Sequence, residues 1–250
     1  MRYSNYMSQE HPLIVTDIRK NFEKVQAVRG LSFTVKAGEV LGIVGPNGAG
    51  KTTTIKIILG LLEADKGTIS LFGSTSEDLQ VRKRIGYMPE NPSFYKHLTG
   101  RELLLFAASL FEIPSATAKT KAQDLIKMVG LSKAADRALQ GYSKGMLQRI
   151  CLAQALINDP DLLFLDEPLD GLDPLGRIQM REILLSVKEK GTAIVFNSHI
   201  LSDVAAVSTH IAIMDKGQIV KHDTVKKLVP AGKTLEDVFM ATVADSKEEA

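Results

Sequence analysis

The sequence predicts an α/β protein: a parallel-sheet core into which a helical segment is inserted. Three observations carry that prediction. The stretch Gly45-Pro46-Asn47-Gly48-Ala49-Gly50-Lys51-Thr52 has the form G-x-x-x-x-G-K-[ST], between an apolar run, Val40–Val44, and a helical stretch. A second continuous apolar run, Leu162-Leu163-Phe164-Leu165, ends in Asp166-Glu167, as a strand buried on both faces of a parallel sheet would. Between the two, residues 91–157 carry helical periodicity and no strand pattern.

The elements follow in order. Leu13-Ile14-Val15 and Leu31–Val35 have the β-branched and aromatic content of two short strands around a turn, with Asn21-Phe22 between them. Val40–Val44 is a buried strand, and Thr53–Leu62 the helix after the glycine-rich loop. Thr68–Gly73 is a further short strand, and the charges around Lys83 suit a solvated face. In the helical segment, Thr99-Gly100-Arg101-Glu102 is a capping box, in which the Thr and Glu side chains satisfy free N–H groups reciprocally. Leu103, Phe106, Ala107 and Leu110 then share a helix face, and Pro114 ends it. A second helix covers 117–129, with Ala122, Leu125, Ile126 and Val129 on one stripe, and a third runs from Ser143 to about Ile157. After the strand ending at Asp166, Asp173-Pro174 opens a helix, with Ile178, Ile183, Leu184 and Val187 on its apolar face and Gly191 as its stop. Thr192–Phe196 is the next strand, followed by a helix at 200–207, a strand at 210–215 and a tight turn at Lys216-Gly217. Residues 244–250 are polar enough to fray. The implied division is a core of 13–90 and 158–229, a helical subdomain of 91–157, and a C-terminal helix and tail at 230–250.

Composition sets outer bounds. With 250 residues, 44% hydrophobic and 24% charged, the chain can bury a substantial core. Thirty-one basic residues against 29 acidic ones, net charge +2, give no electrostatic footprint for nucleic acid. The one cysteine, Cys151, excludes an intrachain disulfide and reads as a small buried apolar residue. Met1 to Pro12 lacks the apolar core of a signal peptide. No apolar run reaches the length of a bilayer span, so work at a membrane needs another subunit to do the spanning.

The chemistry concentrates in a few places. Glycines 45, 48 and 50 let backbone N–H groups turn inward around phosphate oxygens, and the following helix N-terminus adds partial positive charge. Lys51 suits the β- and γ-phosphates, and the Thr52 hydroxyl suits Mg²⁺. Asp166 and Glu167 fall at the carboxyl end of a sheet strand, where open α/β sheets bind ligands. Asp166 suits a metal opposite Thr52, and Glu167 suits the proton of an attacking water. His199 ends the next strand and is either a structural histidine or a γ-phosphate contact. Phe22 is either core or a ring on which adenine stacks. Histidines 11, 97, 210 and 222 form no ligand spacing, so no transition-metal site is expected. Tyr142–Arg149 opens a helix with Ser143 at the cap, offering N–H groups, a hydroxyl and a lysine to an anion.

From about residue 13 to 240 the chain resembles the nucleotide-binding subunit of an ATP-binding cassette (ABC) transporter. Gly45, Pro46, Asn47, Gly48, Ala49, Gly50, Lys51 and Thr52 match the Walker A loop, followed by Thr53. Residues 162–167 match Walker B, Ser143 to Gln148 the family signature, Gly171-Leu172-Asp173 the D-loop and His199 the switch histidine. The resemblance implies a RecA-like P-loop NTPase fold with an N-terminal antiparallel β-subdomain, an ATPase using ATP and Mg²⁺, and Glu167 as its base. It gives Phe22 the adenine-stacking place and Glu90 the place of a Gln that contacts Mg²⁺. It also implies a head-to-tail homodimer or heterodimer in which Ser143, Gly145 and Asp173 contact the partner's ATP. Polytopic permease subunits would hold it at the cytoplasmic face of the membrane, docking near Glu90, Phe94 and Tyr95 unless the two aromatics are core.

Lys144, Met146 and Glu90 depart from the common family pattern, and these variants resemble the exporter branch with separate membrane subunits. A soluble ABC ATPase acting on DNA or ribosomes is the rival, yet the chain has neither a heptad run nor a second Walker motif. A nucleotide kinase or GTPase switch leaves Ser143–Arg149 and His199 without an account.

Overall fold

The structure, a computed structural model, describes residues 10–23 and 25–248. Met1–Gln9, most of the N-terminal stretch without the apolar core of a signal peptide, and residues 249–250 of the polar tail lie outside the described residues. A six-stranded sheet has the order β5-β6-β7-β3-β8-β9. Its strands are β3 (Val40–Val44), β5 (Ile85–Met88), β6 (Leu162–Asp166), β7 (Ala193–Asn197), β8 (His210–Asp215) and β9 (Gln218–Thr224). All neighbours are parallel except β9, which returns antiparallel along the edge. A three-stranded antiparallel sheet, β2-β1-β4, is built from β1 (Leu13–Phe22), β2 (Val25–Val35) and β4 (Lys66–Leu71).

Alternation along each central strand explains why these runs are apolar at every position. Leu162 and Phe164 of β6, Ala193 and Val195 of β7, and Leu41 and Ile43 of β3 enter one core. That core also holds Leu13, Val15 and Leu31 of the small sheet and Ile55 and Ile58 of helix α1 (Lys51–Ile58). Leu163, Leu165, Ile194 and Phe196 point the other way, into a core shared with the helices. A strand with period-two side chains and two buried faces needs an apolar residue at each place. Phe164 and Phe196 are wholly buried, one in each core, and truncating either to Ala removes about 3–5 kcal/mol.

Among the described residues the further α-helices are α2 (Leu79–Arg82), α3 (Gly100–Leu110), α4 (Ser115–Met128), α5 (Lys144–Ala155), α6 (Pro174–Glu189), α7 (Leu201–Val207), α8 (Val225–Leu228) and α9 (Leu235–Glu248). The capping box forms with both bonds: Glu102 N–H donates to Thr99 Oγ1 at 3.1 Å, and Thr99 N–H to Glu102 Oε2 at 2.8 Å.

Several expectations are corrected. The buried stripe of α3 is Leu103, Leu104, Ala107 and Ala108, whereas Phe106 is 45% exposed and Leu110 is 66% exposed. Phe106 instead meets Tyr95 edge-on at the surface, ring centroids 6.3 Å apart. Pro114 caps the start of α4 rather than ending α3. On α6 the stripe is Met180, Ile183, Leu184 and Val187, and Ile178 is exposed. β1 and β2 run almost to their turn, because each supplies the other's ladder hydrogen bonds even where the side chains are polar. Helix α1 starts at Lys51 and stops at Ile58, before Gly60. Helix α9 continues to Glu248, into the stretch expected to fray.

Candidate functional site

β3 ends at Val44 and delivers the loop Gly45–Gly50 to the first turn of α1. Gly50 is the N-cap residue of that helix, at φ 97°, and Gly48 sits at φ 82°. Both lie in the left-handed region that side chains avoid. A Cβ on Gly50 would approach the Ala27 carbonyl oxygen to 2.4 Å, whereas one on Gly48 would meet nothing within 4 Å. Gly50→Ala is therefore expected to cost about 2–4 kcal/mol of stability and Gly48→Ala only about 1 kcal/mol. Urea unfolding of the two variants measures the difference, and equal losses would contradict the close approach.

Lys51 is buried beneath the loop. Its Nζ donates to Gly45 O at 2.7 Å and Pro46 O at 3.2 Å. Burial pulls its pKa below the ordinary lysine value, while Glu167, Asp166 and Glu90 pull it back up. The ammonium thus rests on carbonyl dipoles within reach of three carboxylates, a poise that an arriving polyphosphate would improve.

Asp166 and Glu167 leave the end of β6 together. Asp166 is buried, and its Oδ1 accepts from the Thr52 hydroxyl at 2.9 Å and from Asn197 Nδ2 at 2.5 Å. Glu167 has φ 51°, and its N–H is held by Asn197 Oδ1 at 2.8 Å and Asn197 O at 3.2 Å. That left-handed turn at a non-glycine residue directs the carboxylate out of the strand and into the cleft. Glu167 Oε2 accepts from the His199 N–H at 3.2 Å and lies 2.8 Å from His199 Nδ1. With Nδ1 protonated, the imidazole donates to the carboxylate and keeps Nε2 for a second partner.

A cleft of about 700 Å³ gathers Asn47, Gly48, Ala49, Gly50, Lys51, Thr52 and Thr53 with Glu90, Glu167 and His199. Phe22 and Ala27, from the two strands of the small sheet, line one part of it. Phe22 lies at the end of β1 and is 44% exposed, so of its two readings the structure excludes the core. Gly45 and Pro46 contribute the carbonyls beneath Lys51, and Asp166 lies behind Thr52.

Ser143, Gly145 and Asp173 are not brought to this cleft. They line a second one, of about 520 Å³, together with Lys144, Arg149 and Gly171. Ser143 caps α5, its Oγ accepting from Met146 N at 3.3 Å, and Asp173 caps α6, accepting from Gly176 N at 2.6 Å. Lys144 pairs with Asp170 at 2.6 Å, and Asp170 lines the first cleft. The two linings share no residue. Phe94 packs against the helical core, which answers the question for that aromatic, while Tyr95 stays exposed.

Asn197 is the residue the sequence reading passed over. Its amide donates to the Asp166 carboxylate and its Oδ1 accepts the Glu167 N–H, so it fixes one carboxylate and the backbone that carries the other, and it sits directly opposite Asp166 in the β6–β7 register. The signal within the sequence is only that each residue closes an apolar strand run; that the two strands are neighbours is shown by the fold. Cys151 is buried, and burial pushes its thiol up to about 12, so it remains protonated.

Comparison with known proteins agrees with this geometry. A sequence profile of the ABC transporter family matches residues 28–170. An ABC transporter ATP-binding protein of Nostoc sp. is 46% identical over 231 residues, 89% of this chain and 69% of that protein. The Nod factor export ATP-binding protein I of Burkholderia lata is 39% identical over 209 residues, 83% of this chain and 69% of that one. A solved ATP-binding subunit of an ABC transporter superposes with a TM-score of 0.85 at 30% identity, over 92% of this chain and 99% of that structure.

Proposed function

The chain belongs to the ABC transporter family, and from that premise we propose that it drives export through separate permease subunits, as one half of a dimer that ATP closes. It is an ATPase subunit of that family, with the P-loop NTPase fold. The observation that carries the dimer is the separation of the two clefts. The phosphate loop and Glu167 occupy one, the signature and D-loop residues the other. Two chains arranged head to tail bring the first cleft of each to the second cleft of its partner, with the nucleotide between.

In this reading the adenine stacks on Phe22, and the triphosphate takes over Lys51 from the Gly45 and Pro46 carbonyls. Glu167 accepts the proton of the attacking water, and His199 holds that carboxylate in place while facing the γ-phosphate. Ser143, Gly145 and Asp173 act on the partner's ATP. Thr52 and Asp166 present hard oxygen donors at hydrogen-bond distance from each other, and Glu90 lines the same cleft. Among the described residues no group of three His, Cys, Asp or Glu side chains could hold a metal alone. That donor set fits Mg²⁺, which characteristically takes one or two carboxylates together with phosphate oxygens and waters. When bound, the ion supplies charge neutralisation on the phosphates.

Export is supported by the Nod factor relative, whose name states it. In this reading the permease is a separate chain and this subunit sits peripherally on its cytoplasmic side; no helix among the described residues is long and apolar enough to cross a membrane. The permease would dock on the exposed Tyr95–Phe106 pair, of which Tyr95 follows closely on Glu90 in the chain.

A tagged Glu167→Gln variant, recovered with ATP from detergent-solubilised membranes, tests the reading. Mass spectrometry should identify a polytopic membrane protein in stoichiometric amount. Recovery of ribosomal or DNA-bound partners alone would overturn the transporter assignment and leave the ATPase intact.

A further inference from the structure

Strand β4 begins at Lys66, opposite Arg19 of β1. β1 runs on for three more residues, Lys20, Asn21 and Phe22, with only β2 alongside. A two-stranded ribbon of that kind is marginal by itself, and its outer edge leaves N–H groups without a ladder partner. Asp65, the residue just before β4, covers this edge. Its Oδ2 accepts from Asn21 N at 2.7 Å and from Asn21 Nδ2 at 2.9 Å. Its Oδ1 accepts from Lys20 Nζ at 2.8 Å, and its own N–H donates to Arg19 O at 2.8 Å. One residue therefore grips three consecutive residues of the strand that ends at Phe22.

Phe22 needs such a grip. The ring is half out of the protein, so packing does not fix it. Its strand ends there, and Glu23 turns the chain at φ 48°. The Lys20 ammonium that Asp65 holds lies 5.7 Å from the centroid of the Phe22 ring, close enough for a cation–π contact. The bonds from Lys20 and Asn21 keep the Asp65 carboxyl below its ordinary range, so it stays charged through neutral pH. Asp65 also ends the segment that leaves α1, the helix whose first turn carries Lys51 and Thr52. The part of the chain that binds phosphate thus braces the ring at the other end of the cleft.

We propose that Asp65 is a positioning residue for the nucleotide base, holding the end of β1 so that Phe22 presents a fixed platform. The inference rests on the reading of Phe22 as the adenine platform. A platform that frays must be ordered each time ATP binds, and that ordering weakens binding without touching the phosphate chemistry. Asp65→Ala is expected to raise KM for ATP about three- to tenfold, with kcat held within about twofold. Asp65→Asn keeps one acceptor for Asn21 and loses the carboxylate charge for Lys20, so it should fall between. Inorganic tripolyphosphate, which has no base, should inhibit Asp65→Ala as well as it inhibits the native protein. In a Phe22→Ala background the Asp65 substitution should add nothing.

Three results would each overturn the proposal. If tripolyphosphate weakens in step with ATP, Asp65 supports the phosphate loop or the whole fold. If Phe22→Ala raises KM while Asp65→Ala leaves it unchanged, the platform is real and Asp65 does not hold it. If Phe22→Ala itself leaves KM unchanged, the adenine-stacking reading fails, and the inference fails with it.

Discussion

Glu167→Gln is expected to bind ATP with near-native affinity and to hydrolyse it about 10²- to 10⁴-fold more slowly. The substitution keeps the size and one acceptor oxygen of the side chain and removes its capacity to take a proton. The backbone of residue 167 should not move, because its N–H is held by Asn197 Oδ1 and Asn197 O, and neither bond involves the Glu167 side chain. The Thr52–Asp166–Asn197 linkage is likewise untouched. Binding is therefore preserved, and only the transition-state interaction is lost. With hydrolysis stalled, ATP should hold two chains together, and sedimentation with and without ATP should show a dimer in the first case only. Hydrolysis at the native rate would remove Glu167 as the base and turn attention to His199, 2.8 Å away.

The parts of the fold that were legible are those where one physical constraint acts alone. Val40–Val44 and Leu162–Asp166 fall where their apolar runs put them, because burial on both faces leaves no position for a polar residue before the ligand-binding end. The capping box at Thr99 and Glu102 was equally plain, since the spacing and the reciprocal bonds are local. Helix faces were less legible. Phe106 and Ile178 are as apolar as any core residue, and only the packing of α3 and α6 shows that Leu104, Ala108 and Met180 took the inner positions. β1 carries its apolar signal in Leu13-Ile14-Val15 alone and is ten residues long, because its polar half is held by ladder bonds to β2, the hairpin partner that follows it, and by Asp65, more distant in sequence. Asn197 escaped for a related reason. Its role depends on which strand lies beside β6, and strand order is not written in either strand.

Ser143→Arg carries the second large effect. Ser143 is exposed at the N-cap of α5, and an arginine there would fill much of the small cleft that it shares with Gly145 and Asp173. Losing the cap bond, already long at 3.3 Å, should cost at most about 1 kcal/mol, so the fold survives. Because Ser143 does not line the cleft that holds Lys51 and Glu167, ATP binding to a single chain should stay near native. Turnover should nevertheless collapse toward the Glu167→Gln level, since each nucleotide then lacks the partner's signature. The decisive form of the test mixes the two inactive variants. In a mixed dimer, the Ser143→Arg chain supplies an intact phosphate cleft, and the Glu167→Gln chain supplies an intact signature to it. The other nucleotide site carries both defects. With random pairing, half the dimers are mixed and each has one sound site, so activity should recover to about a quarter of native if the sites work independently. A site completed within one chain could not be rescued this way. No recovery on mixing, or a large loss of single-chain ATP affinity in Ser143→Arg, would place the signature's action in its own chain and remove the head-to-tail arrangement.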